Sequence, residues 1–215
     1  MKFPNVNIPC EYPTVFFGKY FIPNSGKPMD IFVQAPIEWM VVERDAKNKK
    51  VLLVAKNAID WEGFANCPLI GSGYETSWDK SYLRYRLNGD FYKDSFTEEQ
   101  RDMIVPCYIE AVGGNKERTF DKIFLLSVEE VKKYFPRETL AIASEPMVDC
   151  CSADGTRDNP VEISNYPTSW WTRTSGETSD RVMCVGKYGN IFDIDSNADE
   201  LGVRPAMWIK YDENN

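Results

Sequence analysis

The sequence predicts an α+β fold in a single domain, 1–215, and three observations carry that prediction. Strand-like runs rich in β-branched and aromatic residues stand at both ends of the chain, and helix-start signals cluster in its middle third. No internal repeat and no apolar run of membrane-spanning length interrupts that order. A chain of 215 residues with 43% hydrophobic and 27% charged residues has the length and balance of a globular protein.

Pro4, Pro9 and Pro13 predict an extended N-terminal arm over residues 1–13. The run TVFFGKYFI, Thr14 to Ile22, predicts a strand, and PNSGKP a loop after it. IEWMVVERD, from Ile37 to Asp45, and KVLLVAKNA, from Lys50 to Ala58, flank the polar AKNK and predict a β-hairpin. Alternation places Ile37, Trp39 and Val41 on one face of its first strand.

In SYLRYRLN, Leu83 and Leu87 stand one helical turn apart, so a helix is expected there with Asp79 or Ser81 as its cap. Thr97 with Gln100, and Ser127 with Glu130, have the spacing of capping boxes and predict two further helix starts. The second of these puts Val128, Val131 and Phe135 on one stripe and ends before Pro136. From Glu145 to Thr168 the chain is polar and turn-rich, which predicts a long irregular excursion. SWWTRT, RVMCV and NIFDI follow as strands, the last two joined by a turn at Lys187 to Asn190. GVRPAMWIKY predicts a closing strand, Gly202 to Tyr211, expected to pair with Thr14 to Ile22 in a twisted, mainly antiparallel sheet.

Composition removes several functions. The 25 Lys and Arg against 33 Asp and Glu leave a net charge of −8, which repels nucleic acid. The absence of histidine excludes Ser/His and Cys/His catalytic pairs and imidazole-bound zinc. The six cysteines, Cys10, Cys67, Cys107, Cys150, Cys151 and Cys184, contain no CxxC pair, and all are expected to be free thiols. MKFPNVNIPC is not a signal peptide, which predicts a cytoplasmic protein.

The segments FGKY, PIEWMVV, WDKSYLRYRLNGDFYKDSFTEEQ, DKIFLLSVEEV, WWTRTSG and GVRPAMWI occur in an order that resembles a bacterial domain family of unknown function. The resemblance runs from about Val15 to Tyr211. It implies a C-type-lectin-like fold over residues 14–211, related to formylglycine-generating-enzyme-like domains and retroelement variable proteins. It also implies placement at the ends of larger surface proteins, so the cell surface is the alternative location. The formylglycine-generating activity uses a cysteine pair near the C-terminal strands, where this sequence has only Cys184.

The acidic run Asp193, Asp195, Asn197, Asp199 and Glu200 has the oxygen ligands calcium prefers, but Ala198 and Arg204 stand at the glycine and glutamate positions of an EF-hand register. It reads as a solvated loop, and a calcium site would need a second loop bearing Asp154 and Asp158. No metal and no cofactor are therefore expected. Trp170 and Trp171 fall on opposite sheet faces, so at least one is core. Arg84, Arg173 and Arg204, in apolar surroundings, are expected to clamp carboxylates or loop carbonyls. The expected function is a non-catalytic module that binds a protein or carbohydrate through Tyr188, Asn190, Asp193, Asp195, Asn197 and Trp171. The alternative is a hydrolase using paired acids such as Asp193 and Asp195.

Overall fold

The hairpin around AKNK lies in the larger of two main sheets. A computed structural model describes residues 12–23, 32–65, 77–110, 118–136, 143–144, 148–149, 162–163, 167–198 and 201–211. Most of the expected N-terminal arm, the first loop, Cys10, Cys67, Cys150, Cys151, Asp154, Asp158, Asp199 and Glu200 lie outside the described residues.

The chain begins with β1 (Thr14–Pro23), β2 (Phe32–Asp45), β3 (Lys50–Ala55) and β4 (Asp60–Trp61). Helical turns follow: α1 (Tyr82–Arg86), a π-helical stretch Leu87–Phe91, α2 (Tyr92–Ser95) and α3 (Glu98–Met103). Then come β5 (Ile104–Val105), β6 (Cys107–Ile109), β7 (Thr119–Asp121), β8 (Phe124–Leu125) and α4 (Val128–Tyr134). Short strands β9 (Ala143–Ser144), β10 (Val148–Asp149), β11 (Glu162–Ile163) and β12 (Pro167–Thr168) mark the polar excursion. The chain closes with β13 (Trp170–Ser175), β14 (Arg181–Val185), β15 (Ile191–Asp195), β16 (Gly202–Val203) and β17 (Pro205–Lys210).

Beside the two-stranded pairs β10-β11, β12-β9 and β6-β7, the first sheet runs β1-β2-β3-β17-β5, with β8 also on β17, and the second runs β15-β14-β13-β16-β4. Pairing is antiparallel throughout both, apart from the parallel contact of β13 with β16. The α+β class is therefore met. The predicted hairpin forms with Asp45 opposite Lys50, and Ile37, Trp39 and Val41 are all buried. Both capping boxes close, at Thr97 with Gln100 and at Ser127 with Glu130, while Ser81 rather than Asp79 caps α1. Val128, Val131 and Phe135 are buried as their stripe requires.

Two expectations about the ends are corrected. β1 does not pair with the closing strand; it pairs with β2, and β17 is flanked instead by β3 on one edge and by β5 and β8 on the other. The sequence-adjacent strand wins because a local antiparallel partner closes a shorter loop. The closing strand is also two strands in different sheets: β16 belongs to the second and β17 to the first, with the break at Arg204.

Arg204 is 1% exposed at this crossover. Its Nε donates to the carbonyl of Ala55 at 2.8 Å, which ends β3, and its guanidinium lies 4.8 Å from the ring centre of Trp170 and 4.9 Å from that of Phe135. Burial presses its pKa down, to about 9, and the electron-rich ring faces oppose that loss of hydration. One side chain thus touches β3, β13 and the end of α4. Trp170 and Trp171 are both fully buried, so each face of the second sheet is covered.

Arg204→Ala is expected to lower the unfolding free energy by about 3 kcal/mol or more, through the cavity between the rings and the orphaned Ala55 carbonyl. Arg204→Lys should recover only part of it, since an ammonium cannot stack as a plane between two rings. Urea denaturation of the three proteins checks both expectations; a loss under about 1 kcal/mol for Arg204→Ala would contradict them.

Candidate functional site

Apart from Trp171, the residues expected to bind a ligand fall on or just beyond the β14–β15 hairpin, at the edge of the second sheet. Its turn is tight: Gly186 N–H donates to Asn190 O at 2.6 Å, and Gly189 N–H to Gly186 O at 2.7 Å. Gly189 has φ +87°, a left-handed conformation that suits glycine. This turn holds Tyr188 out at 68% exposure, with Lys187 Nζ 5.2 Å from its ring centre. Asn190 is exposed beside it.

Asp195 and Asn197 lie at the opposite end of β15, roughly 15 Å away at the usual rise per strand residue. Asp195 Oδ1 accepts from the Asn197 N–H at 2.8 Å. Between the two ends, Asp193 is held by Arg181, whose Nε lies 3.0 Å from Oδ2 and whose Nη2 donates to the Asp193 carbonyl at 2.6 Å. The Arg181 hydrogen bond keeps the Asp193 carboxyl below its ordinary pKa. A general acid needs the reverse shift, so of the two roles in a paired-acid site Asp193 does not suit the acid. Trp171 joins none of these residues: it is fully buried and its indole donates to the Glu62 carbonyl at 2.6 Å. The structure thus arranges Tyr188, Asn190, Asp193, Asp195 and Asn197 as a strip along one sheet edge, with Trp171 in the core.

Among the described residues no group of three or more His, Cys, Asp or Glu side chains converges as a metal site. Cys107 and Cys184 are free. Burial pushes their thiols up, to about 11 and about 12, so both are protonated at neutral pH and weak as nucleophiles.

The WDKSYLRYRLNG segment is occupied by structural pegs. Asp121, 1% exposed, accepts from Trp78 Nε1 at 2.8 Å, Arg84 Nε at 2.8 Å and Thr119 Oγ1 at 2.6 Å. The Asn88 amide donates to the Arg84 and Ile123 carbonyls and accepts from the Lys122 and Ile123 N–H groups. Arg173 likewise forks onto Glu130, the capping-box acid of α4, and donates to the Leu125 carbonyl at 2.6 Å. The arginines act as the clamps their apolar surroundings imply.

A polar cluster of Tyr20, Asp60, Glu62 and Arg86 was not foreseen. Arg86 Nη1 donates to Glu62 at 2.6 Å, and Nη2 reaches both Asp60, at 2.6 Å, and the Tyr20 hydroxyl, which itself donates to Asp60 at 2.8 Å. Burial, opposed by Arg86, raises the Glu62 carboxyl above its ordinary value. The sequence signal was present in Asp60 and Glu62, two apart on an extended segment and so on one face, but their cation comes from α1. The cluster ties β1, β4 and α1 together.

The thiols imply a pH dependence. Unfolded thiols ionise near ~8.5, whereas those of Cys107 and Cys184 hold their protons to about 11 and about 12 in the folded chain. Above ~8.5 the unfolded state binds fewer protons, so this stability is intact below that pH and is lost as pH rises toward the folded values. Stability should fall as pH rises above ~8.5, with a slope that approaches about 1.4 kcal/mol per pH unit near pH 10 for the fully buried Cys184. Urea midpoints of the parent and of Cys184→Ala across this range check it; equal slopes would contradict it.

Comparison with known proteins adds one match. Residues 48–211 fit the family model described as "Domain of unknown function (DUF6273)". The match covers everything from the β2–β3 turn to the end of β17, and leaves FGKY and PIEWMVV outside it. No curated protein and no solved structure matches the chain. The clamps of Arg84, Arg173 and Arg204 and the β14–β15 hairpin all lie within the matched residues, and the chain belongs to this DUF6273 family.

Proposed function

We propose that the chain is a non-catalytic binding module with a C-type-lectin-like fold, of bacterial type, whose ligand is a protein or a carbohydrate lying along the β14–β15 edge. The observation that supports this reading most is Tyr188: a large amphipathic ring held in solvent on a short hydrogen-bonded turn. A tyrosine so placed offers contact area at little conformational cost, because the backbone beneath it is already ordered. Asn190, Asp195 and Asn197 supply exposed donors and acceptors along the same edge. Asp193 and Arg181 neutralise each other and stiffen the strip. The mainly antiparallel architecture is compatible with a lectin-like fold, whereas β1 pairs with β2 and not with the closing strand.

A glycan and peptide array probed with the protein tests the proposal. Binding to a restricted set of glycans or peptides is expected, and Tyr188→Ala should weaken it at least ~10-fold with an unchanged melting temperature. Hydrolysis of an arrayed ligand, or binding indifferent to Tyr188→Ala, would overturn it.

A further inference from the structure

A second site lies in the other sheet, where β1 bulges. The register of β1 against β2 slips between Phe16 and Lys19, and Gly18 at the slip has φ +73°. A Cβ on Gly18 would stand 2.5 Å from the Phe96 ring and 2.7 Å from the Ser95 carbonyl, so glycine is what lets β1 approach the α2–α3 connection. The bulge buries Phe17 and turns the Phe16 ring out to 61% exposure. Between the bulge and residues 94–100 is a cavity of about 430 Å³. That volume falls within the range of small-molecule sites, about 300 to 1,000 Å³.

We propose that this cavity binds a neutral carbohydrate of one or two rings. The exposed Phe16 ring offers a flat apolar face for the C–H face of a sugar. The Gln34 amide on the lining offers donors and an acceptor for sugar hydroxyls. Ser95 is also on the lining, and its hydroxyl is buried within the wall, out of a ligand's reach.

Charge selects a neutral ligand. Lys19 and Asp94 both line the cavity and form no ion pair with each other. An anion drawn to one is opposed by the other, and the same holds for a cation. A sugar carries hydroxyls and no formal charge, which suits a lining that holds both signs.

The test is isothermal titration of the protein with glucose, galactose, mannose, N-acetylglucosamine, cellobiose and lactose, with glycine and inorganic phosphate as charged comparators. At least one sugar should bind at one site per chain with millimolar or tighter affinity. Phe16→Ala and Gln34→Ala should each weaken it at least ~10-fold. Ser95→Ala should leave this binding in place while keeping or raising the melting temperature, because it removes an unsatisfied buried hydroxyl that the ligand does not touch. Tyr188→Ala should leave this binding unchanged, which separates this site from the β14–β15 strip. No heat with any sugar, binding that survives Phe16→Ala, or a preference for glycine or phosphate would each overturn the proposal.

Discussion

The guanidinium of Arg204, wedged between Trp170 and Phe135 and bonded to the end of β3, is the constraint on which the arrangement of the two sheets depends. The chain leaves the second sheet at Val203 and enters the first at Pro205, so the residue between them must sit where the sheets meet. An aliphatic side chain there would leave the Ala55 carbonyl unsatisfied, and a lysine would satisfy it without filling the slot between two rings. Proline after it suits a strand's first residue and removes a backbone donor at the crossing. A buried charge at that point is costly, and the two ring faces and the carbonyl help to offset it.

Much of this was legible in local pattern. The AKNK hairpin, both capping boxes and the turn after Val185 depend on residues a few positions apart, and the structure has them where the spacing placed them. Strand partners were less legible, because alternation says which face a side chain takes and not which neighbour it meets. Hence Thr14 to Ile22 was assigned to the wrong strand, and GVRPAMWIKY was read as continuous although its ends lie in different sheets. The apolar surroundings of Arg84, Arg173 and Arg204 foretold clamps. The joining of Tyr20 and Arg86 to Asp60 and Glu62 could not be foretold, since it comes from three elements meeting in space.

The same logic applies to the candidate sites. Tyr188, Asn190, Asp193, Asp195 and Asn197 were grouped because they are close in sequence, and a hairpin strand spreads such residues along a line. A line on a sheet edge suits an extended ligand. The cavity at Gly18 left no motif, because its walls come from β1, β2 and the α2–α3 connection, and only the positive φ of one glycine brings them together. Both surfaces rest on a rigid scaffold: one on an edge pinned by Arg181, the other on a bulge locked against Phe96.

If Arg204 couples the sheets, they should open together. Native-state hydrogen exchange in low urea measures this directly, through the slowest amides of β3 and β17 in the first sheet and of β13 and β14 in the second. The account predicts one common opening free energy for both sets, equal to that of global unfolding, and its separation into two values in Arg204→Ala. Two distinct opening energies in the parent protein, with one sheet exchanging while the other stays closed, would contradict it.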